Sequence, residues 1–456
     1  MSNSEFGERR GLIRWAVRWF VAVYYPRVEV AGVELISQNQ PVLLCANHGN
    51  SLIDPVIIGI AARRPVRFMA KAPLFDHPVI GPPMSALGMI PAFRGSDDAK
   101  QVRRNLESLD VGAKVLVDGH AMGIFPEGKS TDHAHLEMIR SGAARMAIQA
   151  AEEGAKGVQV VPMGIAYERK EQFRSSVLVR IAPPIDIDEL LREHEGDGRR
   201  ARHALTTELE TRLKQVVVHL DEPAWEPWLD DLEILVPPPA DADRTPGRLL
   251  WQRKTIADAM NYFLKQDRPR AESIAGQIEE YRGQLRAVGL QIDSPVMRMN
   301  GLQTLARMTW NLFLLILLLV PAMLGTLYHI LPFVLVRLIA SRMDQPGRLT
   351  ISTHRLLVGV PVYLVWYAAV TICLMFYEPR IAWLSLIAAP FSGLVAVYYW
   401  RRARQTIVLM YQESRLLLRK AELKRLRQLK LALSDRLAEL AAEFAGTTSD
   451  SPDSSS

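Results

Sequence analysis

The segment CANHGNSLIDP places His48 and Asp54 in one short stretch, with Gly49 to Ile53 between them. Histidine titrates near neutral pH, so an unprotonated imidazole at His48 can accept the proton of an attacking hydroxyl. A carboxylate beside it can fix the tautomer and stabilise the imidazolium that forms. The segment ends the apolar run PVLLCAN and leads into an apolar helix starting near Pro55. Strand ends of this kind are where α/β folds gather functional groups. Asp54 has a second, local reading: Asp-Pro commonly starts a helix, with Asp as N-cap and Pro in the first turn.

A second polar stretch, FPEGKST at 125–131, follows the apolar run HAMGIF. Gly128 lets the backbone approach a ligand, while Lys129 and Ser130 offer donors to a phosphate. An ordinary polar turn would have the same composition, and the Walker spacing of a P-loop is absent. In GMIPAFRG at 88–95, Arg94 can bind phosphate or carboxylate in bidentate fashion, or pair with a neighbouring acid. Lys71, in KAPLF after VRFMA, is a further basic candidate or a solvated surface lysine.

These stretches must be positioned by regular elements. The apolar runs PVLLCAN, VRFMA, MIPAF, HAMGIF, VQVVPMGIAY and VLVRIA predict buried strands. Helical spacing over 98–117, 136–153 and 188–219 alternates with them, so 28–220 reads as an α/β domain: a mixed sheet with flanking helices. Residues 221–247, rich in proline and acid, read as a linker, and 248–309 as a helical region. Within 1–27, Arg9, Arg10, Arg14 and Arg18 stand beside Trp15, Trp19, Tyr24 and Tyr25, a pattern for a membrane-interface helix or for one packed on its own domain.

Residues 310–400 predict membrane hairpins. The stretches 356–377 and 381–400 are each long enough to cross a bilayer, with only Glu378, Pro379 and Arg380 between them. Arg342, Arg348 and Arg355 precede the pair and Arg401, Arg402 and Arg404 follow it, which directs both ends to the cytoplasm. In 310–340, Pro321, Gly325, His329 and Pro332 interrupt the apolar run, and a re-entrant hairpin keeps residues 1–309 on that same face. Residues 401–445 form a basic amphipathic helix, either packed on a domain or lying on a membrane surface, and 446–456 a disordered tail.

The net charge of +6 suits anionic lipid or phosphorylated substrates, and no base-reading motif points to nucleic acid. Cys45 and Cys373 lie in apolar runs and give neither a disulfide framework nor a metal site. His133 and His135 are an isolated pair, so no metal is expected. The start MSNSEFGERR lacks the pattern of a cleaved export signal.

Four segments taken together, NHGNSLID, GMIPAFRG, FPEGKS and VVPMGI (160–165), resemble the blocks of the glycerol-phosphate and lysophosphatidate acyltransferase family, PlsC-like, in order and approximate separation. The resemblance covers roughly residues 10–220. It departs in one place: the family's commonest first block has four residues between histidine and aspartate, and Gly49 to Ile53 make five. That longer gap, FPEGKS in place of an FPEGTRS-like form, the helical insert and the C-terminal hairpins resemble the subgroup related to fungal glycerol-3-phosphate and dihydroxyacetone-phosphate acyltransferases.

The resemblance implies a membrane enzyme of phospholipid biosynthesis. His48 would be its general base and Asp54 the residue that orients it. It implies no cofactor, with acyl-CoA or acyl carrier protein as co-substrate. The acceptor would be glycerol 3-phosphate, dihydroxyacetone phosphate or lysophosphatidate. Arg94, Lys129, Ser130 and the Gly128 backbone would hold the acceptor phosphate, with Lys71 as a further candidate. Glu127 would order the loop or meet a glycerol hydroxyl, since a carboxylate repels phosphate. Two other readings use the same residues: a thioesterase in which His48 activates water, and a membrane scaffold whose acyltransferase-like domain is inactive.

Overall fold

The structure is a computed structural model that describes residues 3–78, 80–93, 99–236, 245–294, 301–343, 350–416 and 420–449. The chain divides into two compact units. One comprises Met1–Ala224, Ala240–Asp258 and Gln345–Thr353; the other comprises Trp225–Pro239, Ala259–Asp344 and His354–Ser456.

The first unit opens with helix α1 (Asn3–Tyr24), followed by β1 (Arg27–Ala31), β2 (Val42–Ala46), α2 (Ile53–Ala61), β3 (Val66–Lys71), α3 (Gly81–Ala86) and β4 (Ile90–Ala92). It continues with α4 (Ala99–Val117), β5 (Ala121–Ile124), α5 (Gly142–Glu152), β6 (Gln159–Tyr167), β7 (Ser176–Ile181), β8 (Ile185–Asp186), α6 (Ile187–Glu193) and α7 (Gly198–Val216). The strands form one sheet in the order β1-β7-β6-β2-β5-β3-β4, with β8 beside β6. The run β6-β2-β5-β3-β4 is parallel, and β7 turns the sheet mixed by pairing antiparallel with β6.

Every residue of β2 is buried, as a central parallel strand covered on both faces requires. The main core packs Leu43, Cys45, Met122 and Val160 of the sheet with Leu109 and Leu116 of α4, Met146 of α5, and Leu205, Leu209 and Leu213 of α7. Each fully buried leucine contributes roughly 1.5–3 kcal/mol. Gly164 of β6 matters here, because a Cβ would collide with the backbone of Val216 where α7 ends. Along α1, Leu12, Trp15, Trp19 and Val23 face outward, whereas Val21, Tyr24 and, just past the helix, Tyr25 are buried, and Arg18 Nη2 donates to the carbonyl of Gly59. The helix packs on its own domain and also presents an aromatic, apolar stripe.

The helix expected from 136 begins only at Gly142. The backbone N–H groups ahead of it are taken elsewhere: Leu136 donates to His219, Glu137 to Glu127 and Arg140 to the carbonyl of Pro126.

Helix α8 (Glu226–Leu235) occupies part of the stretch expected to be a linker. Its Leu229, Leu232 and Leu235 are buried on one face, and Pro227 falls in the first turn, where an N–H has no intrahelical partner. Residues 237–244 of that stretch lie outside the described residues. Helices α9 (Pro246–Gln266) and α10 (Arg268–Ala287) follow, and the division between the units falls inside α9.

Among the described residues, three helices are long and apolar enough to cross a membrane: α11 (Gly301–Met343), α12 (Ile351–Met375) and α13 (Pro379–Leu416). The re-entrant break expected over 310–340 is absent, because α11 runs unbroken through Pro321 and Pro332. Pro332 cannot donate to the carbonyl of Tyr328, and the indole N–H of Trp366 on α12 donates to that carbonyl at 3.1 Å instead. Gly325 and Gly393 let α11 and α13 approach closely, since a Cβ at either would meet Ser392 or His329.

The basic stretch expected as one helix over 401–445 is helical to Leu416 at the end of α13 and again in α14 (Lys420–Ser449), and 417–419 lie outside the described residues. Helix α14 packs on α10 and α8: Arg270 pairs with Glu443 at 2.9 Å, and Ser434 donates to the carbonyl of Leu235. Helix continues to Ser449, into the expected tail, whose remainder lies outside the described residues.

Candidate active site

The parallel neighbours β2 and β5 deliver two loops to the same edge of the sheet, and β6 flanks β2 on its other side. Asn47 extends the β2–β6 ladder by one step with its side chain. Its Oδ1 accepts from Ile165 N at 2.7 Å and its Nδ2 donates to Ile165 O at 3.1 Å. His48 comes next. Its N–H donates to Glu127 Oε1 at 3.0 Å and its carbonyl accepts from Thr131 N at 2.9 Å, so the loop after β5 clamps its backbone.

The imidazole is held as firmly as the backbone. His48 Nδ1 lies 2.8 Å from Asp54 Oδ2, and the ring stacks on Phe125 with centroids 4.0 Å apart and planes 13° apart. Asp54 is fully buried, whereas the His48 side chain is 18% exposed. Asp54 Oδ2 also accepts from Asn50 N at 2.7 Å, and Oδ1 accepts from the Tyr167 hydroxyl at 2.6 Å. With all three partners donating, Nδ1 carries the hydrogen and Nε2 keeps its lone pair. Burial, and then the charge of Asp54, push the Tyr167 hydroxyl well above the ordinary phenol range, which keeps it a donor.

The gap of Gly49 to Ile53 is absorbed by a tight turn. Ile53 N donates to the Asn50 carbonyl at 2.9 Å, and Ser51 takes a left-handed φ of 39°. The turn returns the chain so that Asp54 enters α2 in its first turn. Asp54 is thus not the N-cap: Leu52 holds that position without a side-chain cap, and the carboxylate faces the histidine. Asn50 Nδ2 donates to Tyr25 Oη at 2.9 Å, and Lys170 Nζ donates to the Gly49 carbonyl at 3.0 Å while pairing with Asp132.

Glu127 is 2% exposed, and its oxygens accept the backbone N–H groups of His48 and Glu137. Burial holds its carboxyl above the usual range. Gly128 has a φ of 70°, and a Cβ there would lie 3.1 Å from Arg140 Nε, so a guanidinium covers the glycine. Lys129 Nζ lies 2.9 Å from Glu137 Oε1 with half its side chain in solvent, and Ser130 is half-buried in the same loop. Lys71 is exposed at the end of β3, the strand next to β5. Arg94 lies outside the described residues. Among the described residues, no cluster of three or more His, Cys, Asp or Glu side chains is placed to hold a metal ion.

The structure therefore brings together His48, Asp54, Glu127, Gly128, Lys129 and Ser130. It adds Asn47, Asn50, Phe125 and Tyr167, which sequence reasoning missed. Asn47, Asn50 and Phe125 flank the same blocks and could have been noticed there. Tyr167 ends the run VQVVPMGIAY and carries no local sign of its role.

Residues 27–166 match the family model described as Acyltransferase. Similar proteins include a lyso-ornithine lipid O-acyltransferase of Pseudomonas aeruginosa, 32% identical over 35% of this chain and 55% of its own length. A chloroplastic 1-acyl-sn-glycerol-3-phosphate acyltransferase of Arabidopsis thaliana is 29% identical over 32% of this chain and 38% of its own. A glycerol-3-phosphate O-acyltransferase of Saccharomyces cerevisiae is 32% identical over 22% of this chain and 13% of its own. The chain thus spans about half or less of the length of these relatives. Within 27–166, the stretch that matches the Acyltransferase model, lie His48, Asp54 and the loop that carries Glu127.

Proposed function

We propose that this chain is a membrane-bound O-acyltransferase of glycerolipid synthesis, which moves a fatty acyl group from an acyl thioester to a hydroxyl of glycerol 3-phosphate or lysophosphatidate. The observation that carries this reading is the ordered His48, with Nδ1 on buried Asp54 and the opposite nitrogen turned away from it. The acceptor hydroxyl gives its proton to Nε2 as its oxygen attacks the thioester carbon. Collapse then breaks the C–S bond, and the imidazolium protonates the departing thiolate. The products are an ester and a free thiol. Asp54 stabilises the imidazolium between the two transfers.

Lys129, Ser130, the Gly128 backbone, Arg94 and Lys71 are the groups we assign to the acceptor phosphate. The Lys129–Glu137 pair is half in solvent, and such pairs are weak enough to exchange for a phosphate dianion. The donor is acyl-CoA or acyl carrier protein. The five-residue gap supports kinship with the fungal glycerol-phosphate subgroup. A cytoplasmic catalytic face is supported by Ser352, which bonds to Asn50 and stands close in sequence to the arginine-bearing junction at Arg355.

The test offers detergent-purified protein an acyl-CoA with glycerol 3-phosphate, dihydroxyacetone phosphate, lysophosphatidate or no acceptor, and follows thiol release. Release should require a phosphorylated acceptor, and Lys129→Ala should raise its KM. Equal release without any acceptor would establish a thioesterase instead.

A further inference from the structure

The His48–Asp54 turn has a support from far along the chain. Ser352, in the first turn of α12, donates its hydroxyl to Asn50 Oδ1 at 2.5 Å across a separation of 302 residues. Both side chains are fully buried. Residues 345–353 belong to the same compact unit as the sheet. Asn50 is the residue on which the longer turn depends. Its N–H goes to Asp54 Oδ2, its carbonyl to Ile53 N, its Nδ2 to Tyr25 Oη and its Oδ1 to Ser352. Every polar group of Asn50 is thereby used. Removing the Ser352 hydroxyl would leave a buried amide oxygen unpaired, and the turn would move to recover a partner.

We propose that Ser352 is a positioning residue for the catalytic pair. Through Asn50 it fixes the turn that aims the Asp54 carboxylate at His48 Nδ1. The inference rests on the acyl-transfer reading above. The start of an apolar helix therefore completes the catalytic loop, although nothing in the sequence around Ser352 resembles a catalytic motif.

A neighbouring residue supplies the control. Thr353 is also buried in the first turn of α12, and its hydroxyl has no hydrogen-bond partner among the described residues. The experiment compares the full-length wild type with Ser352→Ala, Thr353→Val, Asn50→Ala and the Ser352→Ala/Asn50→Ala double variant, measuring kcat, KM for both substrates and thermal midpoint. Ser352→Ala should lower kcat by about five- to thirtyfold with KM unchanged. Thr353→Val should retain wild-type kcat. The double variant should be little slower than Asn50→Ala alone, because the hydroxyl acts mainly through that amide and otherwise meets only the Tyr25 hydroxyl, itself a partner of Asn50. A wild-type kcat in Ser352→Ala, or losses that multiply in the double variant, would overturn the positioning role and leave acyl transfer standing. A wild type without acceptor-dependent transfer would overturn both.

Discussion

Asp54 and Glu127 stand in the segments that follow adjacent strands, are both buried, and both belong to blocks that read as chemistry in the sequence. Their oxygens meet different partners. Those of Asp54 face a side chain that can change protonation, a phenol and one backbone N–H. Those of Glu127 accept from two backbone N–H groups, of His48 and Glu137. One buried carboxylate therefore meets the histidine, and the other joins two loops. Burial alone does not distinguish the two places; the donors around each carboxylate do.

The largest expected break in this comparison comes from Asp54→Asn. An amide oxygen at the Oδ2 position can keep the contacts with His48 and Asn50, and the amide N–H₂ can turn to Tyr167. Geometry survives and the charge opposite the imidazolium is lost. The rate of acyl transfer should fall by roughly 10²-fold or more with KM little changed. Glu127→Gln should behave differently. One backbone N–H would face an amide N–H₂, costing about 1–3 kcal/mol of stability. The thermal midpoint should drop, and turnover should fall less than in Asp54→Asn. A Glu127→Gln protein of wild-type stability that has lost turnover would show that Glu127 touches the reaction.

The smallest effect concerns the loop that supplies the Glu137 N–H. His219 Nδ1 accepts from Leu136 N in that loop at 2.9 Å. Burial first, then the charges of Lys214 and His135, hold His219 down at about 4, against 6.5 for an ordinary histidine. The unfolded chain takes up a proton as pH falls below 6.5 while the folded protein does not until about 4. The stability this group contributes is therefore fully present above 6.5 and lost as pH falls through that window. In His219→Asn, whose side-chain oxygen can still accept from Leu136, the thermal midpoint should depend less on pH between those values.

Much of the sheet is legible because buried parallel strands read as continuous apolar runs. PVLLCAN, VRFMA, MIPAF, HAMGIF, VQVVPMGIAY and VLVRIA correspond to β2 to β7. The sheet-edge strand β1, RVEVA, alternates with charge, and β8 is two residues long, so neither stands out. His48, Asp54 and the FPEGKS loop stood out because four blocks occur together in order, whereas local composition alone reads as a helix cap and a polar turn. Tyr167, the clamp of Glu127 on His48 N–H, and Ser352 did not stand out, because each depends on which segments the fold brings together. The unbroken α11 escaped for a related reason: the carbonyl that Pro332 leaves without a donor is met by Trp366 from another helix.

The central claim is that His48 accepts the proton of the acyl acceptor. It is tested most directly by acyl-ester formation and thiol release in purified His48→Ala, with the thermal midpoint measured on the same sample. A folded variant slowed by about 10²–10⁴-fold is the expected result. A folded variant with wild-type turnover would contradict the claim.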